Sequence, residues 1–155
     1  MFAVKIIVGI ACVYCSVKIS SNKANLLKNR YLYWDSLVEF CSLLLQELSY
    51  KKRPIKEVTS NDFISIDFSK TLNDYYLKNE ITLPNYLSDI ESEKVISFLS
   101  SIGKSDTESQ KIAINTCKID FENIATQRKL DYKKSYSVIL KVGFSIGVML
   151  FVMVI

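Results

Sequence analysis

The sequence contains no histidine, only four glycines and only two prolines among its 155 residues. Histidine is a frequent general base and the commonest metal ligand in proteins, so its absence excludes most acid–base and zinc chemistry. No Gly-rich phosphate-binding loop and no G-x-S-x-G or H-E-x-x-H motif occurs. We therefore expect no catalytic residue, no cofactor and a protein that is not an enzyme.

The four cysteines do not have the spacing of a metal site. Cys12 and Cys15 match the C-x-x-C pattern, but Cys41 and Cys117 are isolated from them and from each other. A structural zinc ion needs four suitable ligands, so no metal site is predicted. Because glycine and proline are scarce, the chain favours an all-α fold, a helical bundle.

Long apolar runs occur at both ends of the sequence and nowhere between them. Residues 1–17 carry one charge, Lys5, and residues 138–155 carry one charge, Lys141, whereas the 120 residues between hold 18 of the 20 basic and all 16 acidic side chains. About 20 apolar residues cross a bilayer as a helix. We predict transmembrane helices at 2–19 and 138–155 on either side of a soluble helical domain at 20–137.

The first apolar run has an alternative interpretation as a cleaved signal peptide. Its uncharged part, Ile6–Val17, is only 12 residues long, so it spans a bilayer only if Lys5 and Lys18 extend to the headgroups. No small-x-small cleavage site follows it, which favours a retained span.

Basic residues flank both predicted spans on the side of the central domain. Lys18, Lys23, Lys28 and Arg30 follow the first span without an acidic residue among them; Arg128, Lys129, Lys133 and Lys134 precede the second, with Asp131 alone opposing them. Positive charge beside a span marks the cytoplasmic side and attracts anionic lipids. The domain is therefore predicted to be cytoplasmic, and its acidic middle argues against nucleic-acid binding.

A 4-3 repeat of apolar and aromatic residues predicts that a helix of about 30 residues continues directly from the first span. The repeat consists of Leu27, Tyr31, Trp34, Val38, Cys41, Leu45 and Leu48, and Leu26, Leu37 and Leu44 are expected to widen its apolar face. Tyr33 is expected to face elsewhere. Pro54 is expected to end the helix, and residues 55–59 to begin a short second one.

The remaining sequence predicts three further helical regions. Residues 60–86 are interpreted as short helices that bury Phe63, Ile66, Leu72, Tyr75 and Tyr76, because the strand-like alternation at 63–68 has no partner. A helix at 86–102 is predicted to bury Leu87, Ile90, Val95, Ile96, Leu99 and Ile102. The last helix carries a stripe of Ile114, Cys117, Phe121 and Ile124, and no residue interrupts it before the second span.

Two groups of polar residues stand out as candidate sites. Gly103 suits the left-handed residue after a helix, and Ser105 with Glu108 has the spacing of a capping box for the next one. Asp89, Glu91 and Glu93 are interpreted as a solvated acidic face, open to a soluble partner, rather than as an acid–base pair.

The chain resembles the stage III sporulation protein AB family of endospore-forming bacteria. The segment Leu99-Ser-Ser-Ile-Gly103-Lys-Ser105-Asp106-Thr-Glu108-Ser-Gln110 is similar to that family's Leu-Gly-x-Ser-Asp-x-x-x-Gln signature, with Ile102 in place of the usual leucine. A terminal span at each end, a leucine-rich helix that ends before a proline, and Tyr136, Gly143 and Gly147 also fit. Residues 55–86 depart from the family pattern and are shorter.

The resemblance implies a helical domain similar to that of type II secretion platform proteins. It implies a scaffold of the channel complex between mother cell and forespore, in the outer forespore membrane, with the mother-cell cytoplasm on the side of the domain. The implied partners are a cytoplasmic secretion-type ATPase, stage III sporulation protein AA, and other membrane proteins of the channel, and a homo-oligomer is left open. Gly103, Ser105, Asp106 and Gln110 carry the signature, either as an interface or as helix caps. The alternative is a signal-anchored or secreted adaptor whose domain lies outside the cytoplasm.

Overall fold

A computed structural model describes the backbone of residues 2–50, 63 and 65–154. Within these ranges the chain forms four α-helices and no strand: α1 (Phe2–Tyr50), α2 (Ile66–Lys78), α3 (Asp89–Ser101) and α4 (Thr107–Val154). The predicted all-α fold is confirmed. The predicted helix stop at Pro54 and the short helix at 55–59 lie outside the described residues.

The four helices form two compact units. The terminal unit comprises Met1–Asn29 and Arg128–Ile155, and the central unit comprises Arg30–Gln127. The helices α1 and α4 each contribute to both units without a break, which confirms that the longest helices of the domain continue into the apolar ends. The predicted membrane boundaries at residues 19 and 137 remain a prediction.

Aromatic side chains dominate the core of the central unit. Its largest fully buried side chains include Trp34, Tyr33, Phe40 and Phe68. The prediction that Tyr33 faces elsewhere is wrong, because its side chain has 0% exposure. A second 4-3 stripe on α1 lies beside the predicted one and is fully buried, whereas the predicted stripe is fully buried only at Trp34 and Cys41 and partly buried elsewhere. Helix α1 therefore contacts neighbours over two adjacent faces. This second stripe consists of Tyr33, Leu37, Phe40 and Leu44. Leu37 and Leu44 were predicted to widen the apolar face and are buried, whereas Leu26, predicted with them, is 50% exposed.

Helix α2 begins later than the apolar pattern indicates. Ser65 is its N-cap and accepts a hydrogen bond from the Phe68 backbone N–H at 3.3 Å. This start turns Phe68 and Leu72 into the core, whereas Ile66, which was predicted to be buried, is 85% exposed. Asn79 ends the helix in the left-handed conformation, with φ of 57°.

Helix α3 is shorter than the predicted helix at 86–102, and only part of the predicted apolar face is buried. Leu87, Val95 and Leu99 are buried as predicted, together with Phe98. Ile90 and Ile96 are 70% and 43% exposed, so their predicted burial is wrong. The buried positions of α4 agree with the predicted stripe, since Ile114 and Phe121 are buried and Cys117 and Ile124 pack partly against the core.

In the terminal unit, α1 and α4 run antiparallel and approach closely at small residues. Gly9 lies against the ring of Phe151, Gly147 against the backbone of Val13, and Gly143 against Ser16 and Ser20. A Cβ on Gly147 would lie 3.0 Å from the Cα of Val13, and one on Gly9 would lie 2.5 Å from Cδ2 of Phe151. Small residues four positions apart are a common means by which helices associate closely in a bilayer.

Two helices are long and apolar enough to cross a membrane, one within Lys5–Ser49 and one within Thr107–Met153. Only 6% and 11% of the residues in their most apolar windows are buried within the protein. The core helix of a soluble protein would be mostly buried, so these two windows differ from such a helix in their low burial.

Candidate functional site

The predicted acidic residues lie at the start of α3, and the structure separates them by burial. Glu91 is only 4% exposed, whereas Asp89 and Glu93 are exposed. Glu91 accepts a hydrogen bond from the Ser88 backbone N–H at 2.9 Å, and the Glu91 backbone N–H donates to the Ser88 hydroxyl at 3.4 Å. Glu91 is therefore part of a capping box for α3 and does not belong to the solvated acidic face that was predicted.

Arg30 of α1 forms an ion pair with the same carboxylate. Its Nε donates to Oε2 of Glu91 at 3.0 Å and to Oε1 at 3.3 Å, and its Nη2 also contacts Oε2. The side chain of Arg30 is 22% exposed and that of Glu91 is 5% exposed, so the pair is largely withdrawn from water. This pair explains how a carboxylate is tolerated inside the central unit.

The residues of the predicted signature surround the turn between α3 and α4. Gly103 has φ of 81°, which confirms the predicted left-handed residue. Asp106 is the N-cap of α4, because its Oδ2 accepts a hydrogen bond from the Ser109 backbone N–H at 3.1 Å. The predicted capping box of Ser105 and Glu108 is wrong by one position, since α4 begins at Thr107 and Ser105 is exposed.

Hydrogen bonds from Ser109 hold the pKa of the Asp106 carboxyl below its usual range. Gln110 is buried, with 8% exposure, on the side of α4 that also carries Ile114. Gly103, Ser105 and Asp106 are exposed, so the turn presents polar groups on the surface, whereas Gln110 is withdrawn from it.

The two predicted sites do not form one surface. The acidic residues lie at the first turn of α3, and the signature turn follows its last residue, Ser101. Because a helix of 13 residues is about 20 Å long, the length of α3 separates them. Ser88-x-x-Glu91 itself matches the capping-box pattern, which could have been read from the sequence and was missed.

A groove of about 410 Å³ runs between α3 and α4 on the outside of the central unit. Its floor contains Phe98, Phe121 and Cys117, and its rims carry Ile90, Glu93 and Asp120, among others. The rings of Phe98 and Phe121 pack edge to face with centroids 5.2 Å apart. No sequence signal identified this groove, because it is formed by residues from two helices that the prediction treated as filled core.

Burial makes the thiols and phenols of the central unit poor acids. It raises the pKa of the Cys41 thiol to about 12, and it also raises that of Cys117, which is less buried. Burial, together with a hydrogen bond from its hydroxyl to Asp67 at 2.6 Å, raises the pKa of Tyr86. Such groups stay protonated near neutral pH and are not activated nucleophiles.

Within the part of the chain that the structure describes, no group of three or more cysteine and acidic side chains is placed to hold a metal ion. A second groove, in the terminal unit, is lined by apolar and aromatic side chains of α1 and α4, among them Val13, Tyr14, Phe144 and Val148.

Comparison with protein-family models, with curated proteins and with solved structures finds no match.

Proposed function

We propose that the protein is a non-enzymatic platform, anchored in a membrane by both apolar ends, which presents the central unit to a soluble partner. One observation carries this proposal: the apolar ends of α1 and α4 pack antiparallel through Gly9, Gly143 and Gly147 and leave most of their side chains exposed. In water such exposure would be costly, whereas a bilayer solvates these side chains and permits close helix contacts.

The distribution of charge supports a cytoplasmic position of the central unit. The terminal unit holds 9 of the 20 basic and one of the 16 acidic residues, a net charge of +8, whereas the central unit holds 11 and 15, a net charge of −4. Because Gly143 faces Ser16 and Ser20, Lys18 and Lys141 lie at a similar position along the common axis of the antiparallel helix pair. Basic residues at one level of two spans mark a cytoplasmic membrane edge.

The resemblance to stage III sporulation protein AB supplies the biological setting of this proposal. In that setting the protein belongs to the secretion-like channel complex between mother cell and forespore, lies in the outer forespore membrane, and docks the ATPase stage III sporulation protein AA. Gly103 and Asp106, which carry the resemblance, lie exposed in the turn before α4.

The test uses the full chain in lipid nanodiscs, mixed with stage III sporulation protein AA from the same organism. We expect the two to co-elute in size-exclusion chromatography. Trp34→Asp should abolish co-elution while leaving the chain in the nanodisc, because Trp34 is fully buried in the central unit. Absence of co-elution with the unsubstituted chain, or its persistence with Trp34→Asp, would contradict the proposal.

A further inference from the structure

The groove between α3 and α4 combines an apolar floor with acidic rims. Phe98 and Phe121 on its floor are buried, at 4% and 3% exposure, and their rings close the inner side. Glu93 on α3 and Asp120 on α4 line the rims and are exposed to solvent. Ile90, which also lines the groove, leaves 70% of its surface exposed.

The groove face of α3 has the spacing of a helix–helix contact. Ile90, Lys94, Ser97 and Ser101 follow each other at intervals of four, three and four residues and all line the groove. On α1, two adjacent stripes with this spacing are covered by neighbouring elements of the central unit. On α3 the stripe of Glu91, Val95 and Phe98 is buried, whereas the groove stripe has no covering helix among the described residues.

The charges at the rims select the kind of helix that fits this stripe. Within the described residues, neither Glu93 nor Asp120 forms an ion pair, and Lys94 is the single basic residue that lines the groove. Asp89 adds a further exposed carboxylate one turn before Glu93. An anionic lipid headgroup or nucleic acid would be repelled, whereas lysine or arginine side chains would meet partners on both rims.

We propose that this groove docks an amphipathic helix of a soluble partner protein. That helix lays an apolar side chain against the groove side of the Phe98–Phe121 ring pair and places a lysine or arginine within one turn of it, opposite Glu93 and Asp120. This is the helix-in-groove mode of recognition, in which apolar anchors give affinity and rim charges give orientation. The proposal rests on the proposed function, because it gives the central unit's partner a specific contact.

Photo-crosslinking from the full-length chain, produced from its own promoter, tests this proposal. One strain carries p-benzoylphenylalanine in place of Ile90, and the control strain carries it in place of Ile112. Ile112 is 69% exposed on α4, against 70% for Ile90, so the two positions differ in location and not in exposure. We expect position 90 to capture one soluble protein, at least about tenfold more than position 112 does.

The crosslinked peptide should contain lysine or arginine within four residues of the attachment point. Glu93→Lys combined with Asp120→Lys should lower the crosslink yield about tenfold or more, whereas Glu80→Lys, at another exposed acidic position, should leave it unchanged. The emission of Trp34, the single tryptophan, should be the same in all variants, which shows that the central unit is folded. Ile90→Ser, which removes the apolar rim without a charge, should weaken binding of the captured protein as well.

Equal yields from the two positions, no yield from position 90, or a yield that survives the charge reversal would overturn the proposal. Capture of lipid or of a second copy of this chain would overturn the assigned occupant. If the ATPase co-elutes with the protein but position 90 captures nothing, the groove proposal fails and the proposed function stands. If position 90 captures a different soluble protein through a basic helix, the groove proposal stands and the ATPase assignment fails.

Discussion

Arg30 and Glu91, 61 positions apart in the sequence, form the ion pair that fastens the start of α3 to α1. The Glu91 carboxylate also accepts hydrogen bonds from the backbone N–H and the hydroxyl of Ser88, at 2.9 and 3.1 Å. A single buried carboxylate thus caps one helix and binds another. Glu91 both caps α3 and pairs with Arg30, whereas Arg30 only forms the pair. The loss of stability on removing each residue should therefore differ, and this difference can be measured.

Glu91→Ala should destabilise the central unit more than Arg30→Ala does. Arg30→Ala leaves a buried carboxylate that still has the Ser88 donors, and we expect a loss of about 2 kcal/mol. Glu91→Ala removes the capping box and also leaves Arg30 without this acceptor, so about 3 kcal/mol is expected. The free energy of unfolding follows from urea titration of the full chain in detergent, with Trp34 fluorescence as the signal.

Lys111→Ala is the matched control for that comparison. Lys111 pairs with Glu108 at 3.0 Å on the surface of α4, so its loss should change stability by about 0.5 kcal/mol or less. The dual role of Glu91 would be refuted if Arg30→Ala lowered the free energy of unfolding as much as Glu91→Ala does, or as little as the control does.

Enlarging Gly143 or Gly147 should separate the helices of the terminal unit. A Cβ on Gly143 would collide with the side chain of Ser20, and one on Gly147 would press on the backbone of Val13. Tyr14 and Val148 line the same groove between these helices. Cysteines placed at positions 14 and 148, in a chain with Cys12→Ser and Cys15→Ser, should therefore form an intramolecular disulfide on oxidation.

Adding Gly143→Leu or Gly147→Leu should reduce the yield of this disulfide severalfold, while Ser145→Leu should leave it unchanged because Ser145 is exposed. Non-reducing electrophoresis with a reduced control measures the yield. An undiminished disulfide in both glycine variants would show that the helices do not depend on this close approach.

The central unit should lose stability as the pH rises above about 9. Burial raises the pKa of Cys41 from 9.0 to about 12 and that of Tyr76 from 10.0 to about 12. The folded state therefore holds these protons more tightly than the unfolded state, so the stabilisation is complete below the unfolded pKa and is lost as the pH rises through the folded one. Urea midpoints should stay level between pH 7.5 and about 9 and fall from there to about pH 11.5.

Tyr76→Phe separates this effect from general alkaline damage. The variant lacks one of the shifted groups, so its urea midpoint should fall less steeply above about pH 10 than that of the unsubstituted chain. Identical slopes would mean that Tyr76 is not protected in the folded state.

Asp106→Ala should lower the thermal midpoint of the central unit, and Ser105→Ala should leave it nearly unchanged. Asp106 caps α4, whereas Ser105 is exposed and precedes the cap. Because the pKa of Asp106 is lowered in the folded state, its stabilisation is present above the unfolded pKa and is lost as the pH falls through the folded one. The difference in thermal midpoint between the two variants should therefore vanish at strongly acid pH. A larger effect of Ser105→Ala than of Asp106→Ala would contradict this assignment and support the capping box that the sequence predicted.

Periodicity predicted the long helices because their apolar residues recur at helical spacing over many turns. Trp34, Cys41, Ile114 and Phe121 lie on such stripes and pack in the core. Periodicity failed where a helix contacts two neighbours. A 4-3 stripe identifies one buried face, so the second face of α1, with Tyr33 and Phe40, was invisible to it.

The errors at the candidate sites have related causes. Glu91 was assigned to the surface because it is charged; its capping partner Ser88 is close in sequence and was overlooked, whereas its ion-pair partner Arg30 is distant. Ile90 and Ile96 were assigned to the core because they are apolar, but the buried face of α3 is set by Glu91, Val95 and Phe98. Pairings between residues 61 positions apart cannot be read from local pattern.

Labelling of a single cysteine in intact and opened cells tests the central claim, that two membrane-embedded ends hold the central unit in the cytoplasm. Cys41 is unsuitable because it has 0% exposure, so Glu80→Cys, at an exposed position, is the reporter in a chain without its four native cysteines. A membrane-impermeant maleimide should label this cysteine only after the cells are opened. Labelling from outside intact cells would contradict the account and favour an adaptor whose central unit lies outside the cytoplasm.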